Sequence, residues 1–306
     1  MHRVTYWQQL LADFALILVT FVWGVTFVIV KDALGTIGPF YFLTIRFFLA
    51  ALFLVAVRPR VLAGIGRRDL LAGGVIGVAL FAGYGFQTVG LQYTTAANAG
   101  FITGLSVVMV PVFTAVLTRR VPPGLVVIGV ISATVGLGLL SLEGGLRMSY
   151  GDLLIFCCAV AYAVHILLTG RFAPRHSSFT LATLQIAMVG LLSAVIAPWL
   201  ETMPARLAPE VLWALAATAI PATSLAFLIQ TKAQQFTSPT HTAVIFTMEP
   251  VFAGLSAWLW GGETLTARQL AGGAAIVLGM LITVLQPLIA LPRWRGANGR
   301  APAKTS

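Results

Sequence analysis

The stretch Gln87-Thr88-Val89-Gly90-Leu91-Gln92-Tyr93-Thr94-Thr95 returns 143 residues later as Gln230-Thr231-Lys232-Ala233-Gln234-Gln235-Phe236-Thr237-Ser238. In the same register Gly129 meets Gly272 and Gly136 meets Gly279, and nothing has to be skipped between Gln87–Gly138 and Gln230–Leu281. Such a gapless recurrence is the mark of duplication. Upstream the spacing is 139, with Trp23 falling on Tyr162, Arg46 on Gln185 and Pro59 on Pro198. The four-residue difference lies in one connection, Arg58–Asp69 against Pro198–Glu210, where a chain absorbs length changes most easily. Two homologous halves are expected, 13–143 and 150–286, followed by a basic cytoplasmic tail, 287–306.

Of the 306 residues, 58% are hydrophobic and only 9% charged, which excludes a water-soluble domain and makes lipid the solvent for most of the chain. The net charge of +10 is spread as single residues and pairs between apolar runs, so it does not form a nucleic-acid patch. Cys157 and Cys158 are neighbours within an apolar run and provide neither a disulfide framework nor a metal spacing. No metal or cofactor is expected. The first apolar run, Phe14–Val30, is too long for a signal core and should remain as a membrane span.

Ten apolar runs can each cross a hydrocarbon core of roughly 30 Å as a helix. They lie near 14–31, 40–57, 70–91, 97–118, 124–142, 152–170, 179–199, 211–231, 240–260 and 268–286. With the N-terminus inside, 14 Lys and Arg fall on inner loops and tails against four outside (Lys31, Arg147, Arg206 and Arg268), in agreement with the positive-inside rule. Five spans per half is an odd number, so equivalent helices must cross in opposite directions. The expected fold is an all-α polytopic membrane protein of ten transmembrane helices in two inverted five-helix repeats, an arrangement many secondary transporters use.

The residues also resemble the EamA family of the drug/metabolite transporter superfamily, over nearly the whole chain. The resemblance is carried by Leu18-Val19-Thr20-Phe21-Val22-Trp23-Gly24-Val25-Thr26-Phe27, Ile45-Arg46-Phe47-Phe48 and Tyr93-Thr94-Thr95-Ala96-Ala97-Asn98-Ala99. In the second half it continues in Met248-Glu249-Pro250-Val251-Phe252 and Gly261-Gly262-Glu263. Two departures are evident. Arg120 occupies the position equivalent to Glu263, and Pro111 and Pro250 stand one helical turn apart in register, so the bends they cause need not lie at equal depth. The resemblance implies transport of a small organic metabolite, an amino-acid-like or a drug-like compound.

Arg46 and Glu249 are the charges expected within the membrane, where each costs at least about 2.5–3.5 kcal/mol unless it finds water or a partner. Glu249 either binds a proton or a substrate cation and couples it to opening, or it pairs with Arg46 to fix helix packing. His165 aligns with Thr26, and His241 with Asn98; these four line a shared cavity or serve as packing residues. Gln87 and Gln230, with Tyr84 and Thr223 nearby, either recognise substrate or hydrogen-bond between helices. Trp23, in mid-span, is expected on a cavity wall, with core packing as the alternative, and Thr103 is a further substrate-binding candidate. Gly73-Gly74-Val75-Ile76-Gly77 and Gly100-Phe101-Ile102-Thr103-Gly104 offer surfaces for close helix approach.

No Gly-x-x-x-x-Gly-Lys-Ser/Thr loop is present, so direct ATP coupling within the chain is not expected. The best reading is a secondary transporter in the bacterial inner (plasma) membrane with both termini cytoplasmic. Its partners would be a small-molecule substrate, the lipid bilayer and, as a candidate, protons. An intramembrane enzyme and a non-transporting membrane scaffold are the alternatives.

Overall fold

A computed structural model describes residues 6–94, 96–141, 149–261 and 266–289. It is all-helical, with no strand among the described residues. The first-half helices are α1 (Tyr6–Ala33), α2 (Pro39–Val57), α3 (Arg67–Gly90), α4 (Ala96–Gly104), α5 (Ser106–Thr118) and α6 (Gly124–Ser141). The second half contains α7 (Tyr150–Phe172), α8 (Ser178–Leu200), α9 (Pro209–Ala219), a π turn (Ile220–Leu225), α10 (Ala226–Ala233), α11 (Pro239–Phe246), α12 (Met248–Gly261) and α13 (Ala267–Ile289). Seven helical runs among the described residues are long and apolar enough to span a membrane, and shorter apolar helices accompany them. Trp7, Trp199 and Trp213 are strongly exposed near helix ends, where tryptophan suits a membrane–water boundary. The Gly262-Glu263 signature, Thr95, Arg147, the tail from residue 290 and the side chain of Asn98 lie outside the described residues.

The duplication is visible in the packing. Helices α6 and α13, equivalent in the repeat, lie side by side. A Cβ built on Gly136 would stand 2.5 Å from the carbonyl oxygen of Gly272, and one on Gly129 would stand 2.7 Å from that of Gly279. The repeat exchanges these two contacts: Gly129 maps to Gly272 and Gly279 maps back to Gly136. Low numbers on one helix therefore meet high numbers on the other, so the equivalent helices run antiparallel. On the axis between them Ser132 Oγ donates at 2.8 Å to the carbonyl of Ala275, its own counterpart. The contact between these equivalent helices thus has the pseudo-twofold that inverted repeats would give.

Both fourth spans are broken at nearly the same place. The turn between α4 and α5 falls at Leu105 and that between α11 and α12 at Thr247, one residue from equivalence in the 143-residue register. The different proline positions had left unequal bends open. The breaks agree although the prolines do not: Pro111 sits inside α5, whereas Pro250 occupies the first turn of α12, where a proline is tolerated.

Candidate functional site

The face where α1 begins is called lower and the face where it ends upper. Local chemistry first fixes α2. Its first helical residue is Pro39, and the cap residue Gly38 has no side chain to bond the free amides. Glu201, at the end of α8, supplies the bond instead: the amides of Phe40 and Tyr41 donate to its Oε1 and Oε2 at 2.8 and 3.0 Å. A Cβ on Gly38 would meet that carboxylate, so a side chain there would displace the cap. The cap ties the two halves together at the upper face and aims the buried face of α2, which carries Arg46, inward.

Arg46 is 5% exposed and meets the π turn. Its Nε donates to Thr223 Oγ1 at 2.8 Å, while its guanidinium lies 5.3 Å from the ring centre of Tyr84 and 5.6 Å from that of Phe47. Thr223 can accept because its own proton goes to the carbonyl of Thr218, five residues back, at 2.9 Å. Ser224 likewise reaches the carbonyl of Ala219. These i−5 bonds satisfy backbone acceptors in the widened turn, which contains Pro221. Ala222 turns its carbonyl inward to accept from Trp23 Nε1 at 2.8 Å. Thr223→Val is expected to destabilise the protein by about 1–3 kcal/mol, since a buried charged donor loses its acceptor, and Thr223→Ser should restore stability. Thermal unfolding in detergent would measure both.

On the opposite wall runs a second relay. Thr231 Oγ1 donates to the carbonyl of Phe227 and so accepts from Gln185 Nε2 at 2.9 Å. Gln185 Oε1 is then the acceptor for His165 Nε2, which is 2.7 Å away and must carry its proton there. Gln185 is the counterpart of Arg46, so the same position of each second span anchors a polar network. Tyr162, the counterpart of Trp23, donates its hydroxyl to Gln87 Oε1 at 3.0 Å.

These networks surround a cavity of about 350 Å³ between the halves. Trp23, Thr26, Arg46, Tyr84, Gln87, Thr103, Tyr162, His165, Phe227, Gln230, Phe246 and Glu249 are all on its wall. It reaches towards the upper face at Val30, Leu91 and Gln269, and its lower end is formed by Ile166, Gln230 and Ala243. Glu249 is the second residue of α12, just past the break at Thr247, and the backbone of α1 presses against it: a Cβ on Gly24 would lie 2.7 Å from its carbonyl oxygen. No ion pair joins Glu249 to Arg46 among the described residues. Of the two alternatives for Glu249, the pair with Arg46 is not formed: Arg46 bonds the π turn, and Glu249 stays on the cavity wall.

The cavity gathers most of the residues singled out in the sequence, with three exceptions. His241 points away to the lower joint, where Gln9 Nε2 donates to its Nδ1 at 2.9 Å. Thr223 is fully buried behind Arg46 and serves that side chain. Asn98 lies outside the described side chains. Thr26 spends its hydroxyl on its own helix at Val22, and Gln230 bonds Gln234 while its Oε1 finds no partner among the described residues. Sequence reasoning did not single out Gln185, Tyr162 or Phe227, although the first two stand in repeat register with Arg46 and Trp23.

Two repeated helical halves enclosing a polar, aromatic-walled cavity within a membrane are the architecture of a membrane transporter. More particularly, the chain belongs to the EamA-like transporter family, whose model matches it twice, over residues 10–142 and 149–285. An uncharacterized transporter of Archaeoglobus fulgidus is 37% identical over 279 residues, covering 91% of this chain and 87% of its own. The uncharacterized transporter YyaM of Bacillus subtilis is 26% identical, with coverage of 84% and 88%. A crystal structure of a protein 21% identical superposes with a TM-score of 0.76 over 90% of this chain and 98% of the other, a likeness of fold.

Proposed function

We propose that the chain is a ten-span secondary transporter of a small amphipathic organic solute, amino-acid-like or drug-like, working by alternating access. The ten spans follow when α4 with α5, α9 with α10, and α11 with α12 are each read as one interrupted crossing. The single observation that carries the function is a cavity between inverted halves in which a guanidinium and a carboxylate stand among aromatic walls. Arg46 suits an anionic group of a solute, Glu249 a cationic one, and Trp23, Tyr84, Tyr162 and Phe227 its apolar body.

The excess of Lys and Arg on inner loops makes the lower face cytoplasmic and the present cavity outward-directed. Inward opening would then have to part the bonds that join the halves below: Gln9 to His241, and His176 Nδ1 to Asp69 Oδ1 at 2.7 Å. Glu249 is the coupling group in this scheme, taking a proton on one side and releasing it on the other.

Two measurements test the scheme. Single cysteines at Arg67 and Arg206, both exposed, should react with impermeant reagents from opposite sides of a bacterial inner membrane; labelling from one side would end the inverted topology. Purified protein in liposomes, screened against amino-acid-like and cationic amphipathic solutes with and without a pH difference, should move one of them unchanged. Chemical conversion of the solute would favour an enzyme.

A further inference from the structure

Two aspartates occupy equivalent places in the halves. Asp13 in α1 and Asp152 in α7 are 139 residues apart, the spacing of the front parts of the repeat, while Thr94 and Thr237 are 143 apart, the spacing of the rear parts. The pseudo-twofold therefore carries the pair Asp152–Thr94 at the upper face onto Asp13–Thr237 at the lower. Above, the pair is formed. Thr94 Oγ1 donates to Asp152 Oδ1 at 2.5 Å and the amide of Ser149 donates to Oδ2 at 2.8 Å. Asp152 also sits in the first turn of α7, where free amides favour a carboxylate.

Below, the same two residue types stand side by side, close enough for the Thr237 hydroxyl to act on the Asp13 carboxyl but without a hydrogen bond of full geometry. Thr237 is the hydroxyl beside Asp13, yet neither carboxylate oxygen nor Thr237 Oγ1 has a hydrogen-bond partner among the described residues. Asp13 lies past the first turn of α1, where its own helix has no free amide to offer, and is 1% exposed next to the apolar cluster of Ala12, Leu16 and Ala233. An ionised carboxylate there lacks every compensation its counterpart has, and an unpaired buried charge costs several kcal/mol.

The other ionisable groups nearby are engaged elsewhere. His241 of α11 accepts from Gln9, one turn before Asp13, and Lys232 of α10 is exposed with Nζ on Gln235 Oε1. Arg58, at the end of α2, covers the ring of Phe179. On α12 Glu249 belongs to the cavity, and Glu210 of α9 is at the opposite face. The π turn contains no titratable side chain.

We propose that Asp13 is a proton-binding site in the lower joint, separate from the cavity: the neutral acid occupies the unpaired state seen here, and loss of the proton to lower-face water draws in the Thr237 hydroxyl. The bond so formed is the one that Asp152 and Thr94 already make above. Occupancy of Asp13 thereby sets whether α1 is pinned to the connection between α10 and α11, a contact between the halves. The proposal does not depend on Glu249 being the coupling group.

Infrared difference spectra of the purified full-length protein, recorded across a pH titration, read the C=O stretch of protonated carboxylic acids directly. The expected result is a titrating band that Asp13→Asn removes, that Glu249→Gln retains, and that is indifferent to replacing Na+ by K+. Thr237→Val should keep this band and displace its midpoint, because a donor to the ionised form is lost; that change would not follow if Asp13 were only a packing residue. A spectrum unaltered by Asp13→Asn would overturn the proposal, as would a band that follows Na+ rather than pH, which would assign the site to a metal cation. Loss of a band in Glu249→Gln alone would uphold the coupling role of Glu249 and reject the site at Asp13.

Discussion

Glu249→Gln is expected to abolish accumulation driven by a pH difference while leaving the protein folded and able to exchange solute down a gradient. The side chains are nearly isosteric, so packing of α12 against Gly24 is preserved while the exchangeable proton is lost. Arg46 should be little disturbed, because its bonds go to Thr223 and Ala222 and not to Glu249. Each pH unit is worth about 1.4 kcal/mol per coupled proton, which corresponds to about tenfold accumulation. The variant should therefore fall from about tenfold per imposed unit to none, measured as solute retained in liposomes at steady state. Undiminished pH-driven accumulation would remove Glu249 from the mechanism.

Gly136→Leu should cause the largest loss of stability of any single substitution considered, at about 3 kcal/mol or more, the upper end of what overpacking costs. The obstacle is backbone. A first carbon on Gly136 already meets the carbonyl of Gly272 at 2.5 Å and the amide of Ile276 at 2.8 Å, and neither can turn aside as a side chain can. Gly100→Ala is the matched control. Nothing lies within 4 Å of a Cβ built there, and replacing a helical glycine gains about 1 kcal/mol of propensity. Thermal unfolding in detergent should thus fall steeply for the first variant and hold or rise for the second. Equal midpoints would mean that α6 and α13 are not held as closely as described.

Why some of this was legible in the sequence and some was not has a physical explanation. The repeat spacing carried the fold, because Gly129, Gly136, Gly272 and Gly279 are small for a reason that duplication imposes on both halves at once. Polar residues in mid-span, such as Trp23, Arg46, Tyr84 and Glu249, were conspicuous because lipid penalises them. Spacing gives a residue's depth but not its azimuth, however, and His241 turned out to face Gln9 rather than the cavity. The bonds that Arg46 makes to Thr223 and Ala222 were not legible for a different reason. A π turn has no simple sequence period, and the i−5 bonds of Thr223 and Ser224 that create its acceptor emerge only in three dimensions. Asp13 was passed over as the edge of an apolar run. Its register with Asp152 was the available signal, and that register acquires meaning only when Thr94 and Thr237 are seen beside the two carboxylates.

The seam between α6 and α13 implies something about a half taken alone. Each half carries both members of the glycine contact, so its outer edge is complementary to an upside-down copy of itself. Two separate half-length polypeptides inserted in opposite senses would meet along the same surface, and the joined chain holds as an internal boundary what such a pair would have as a dimer interface.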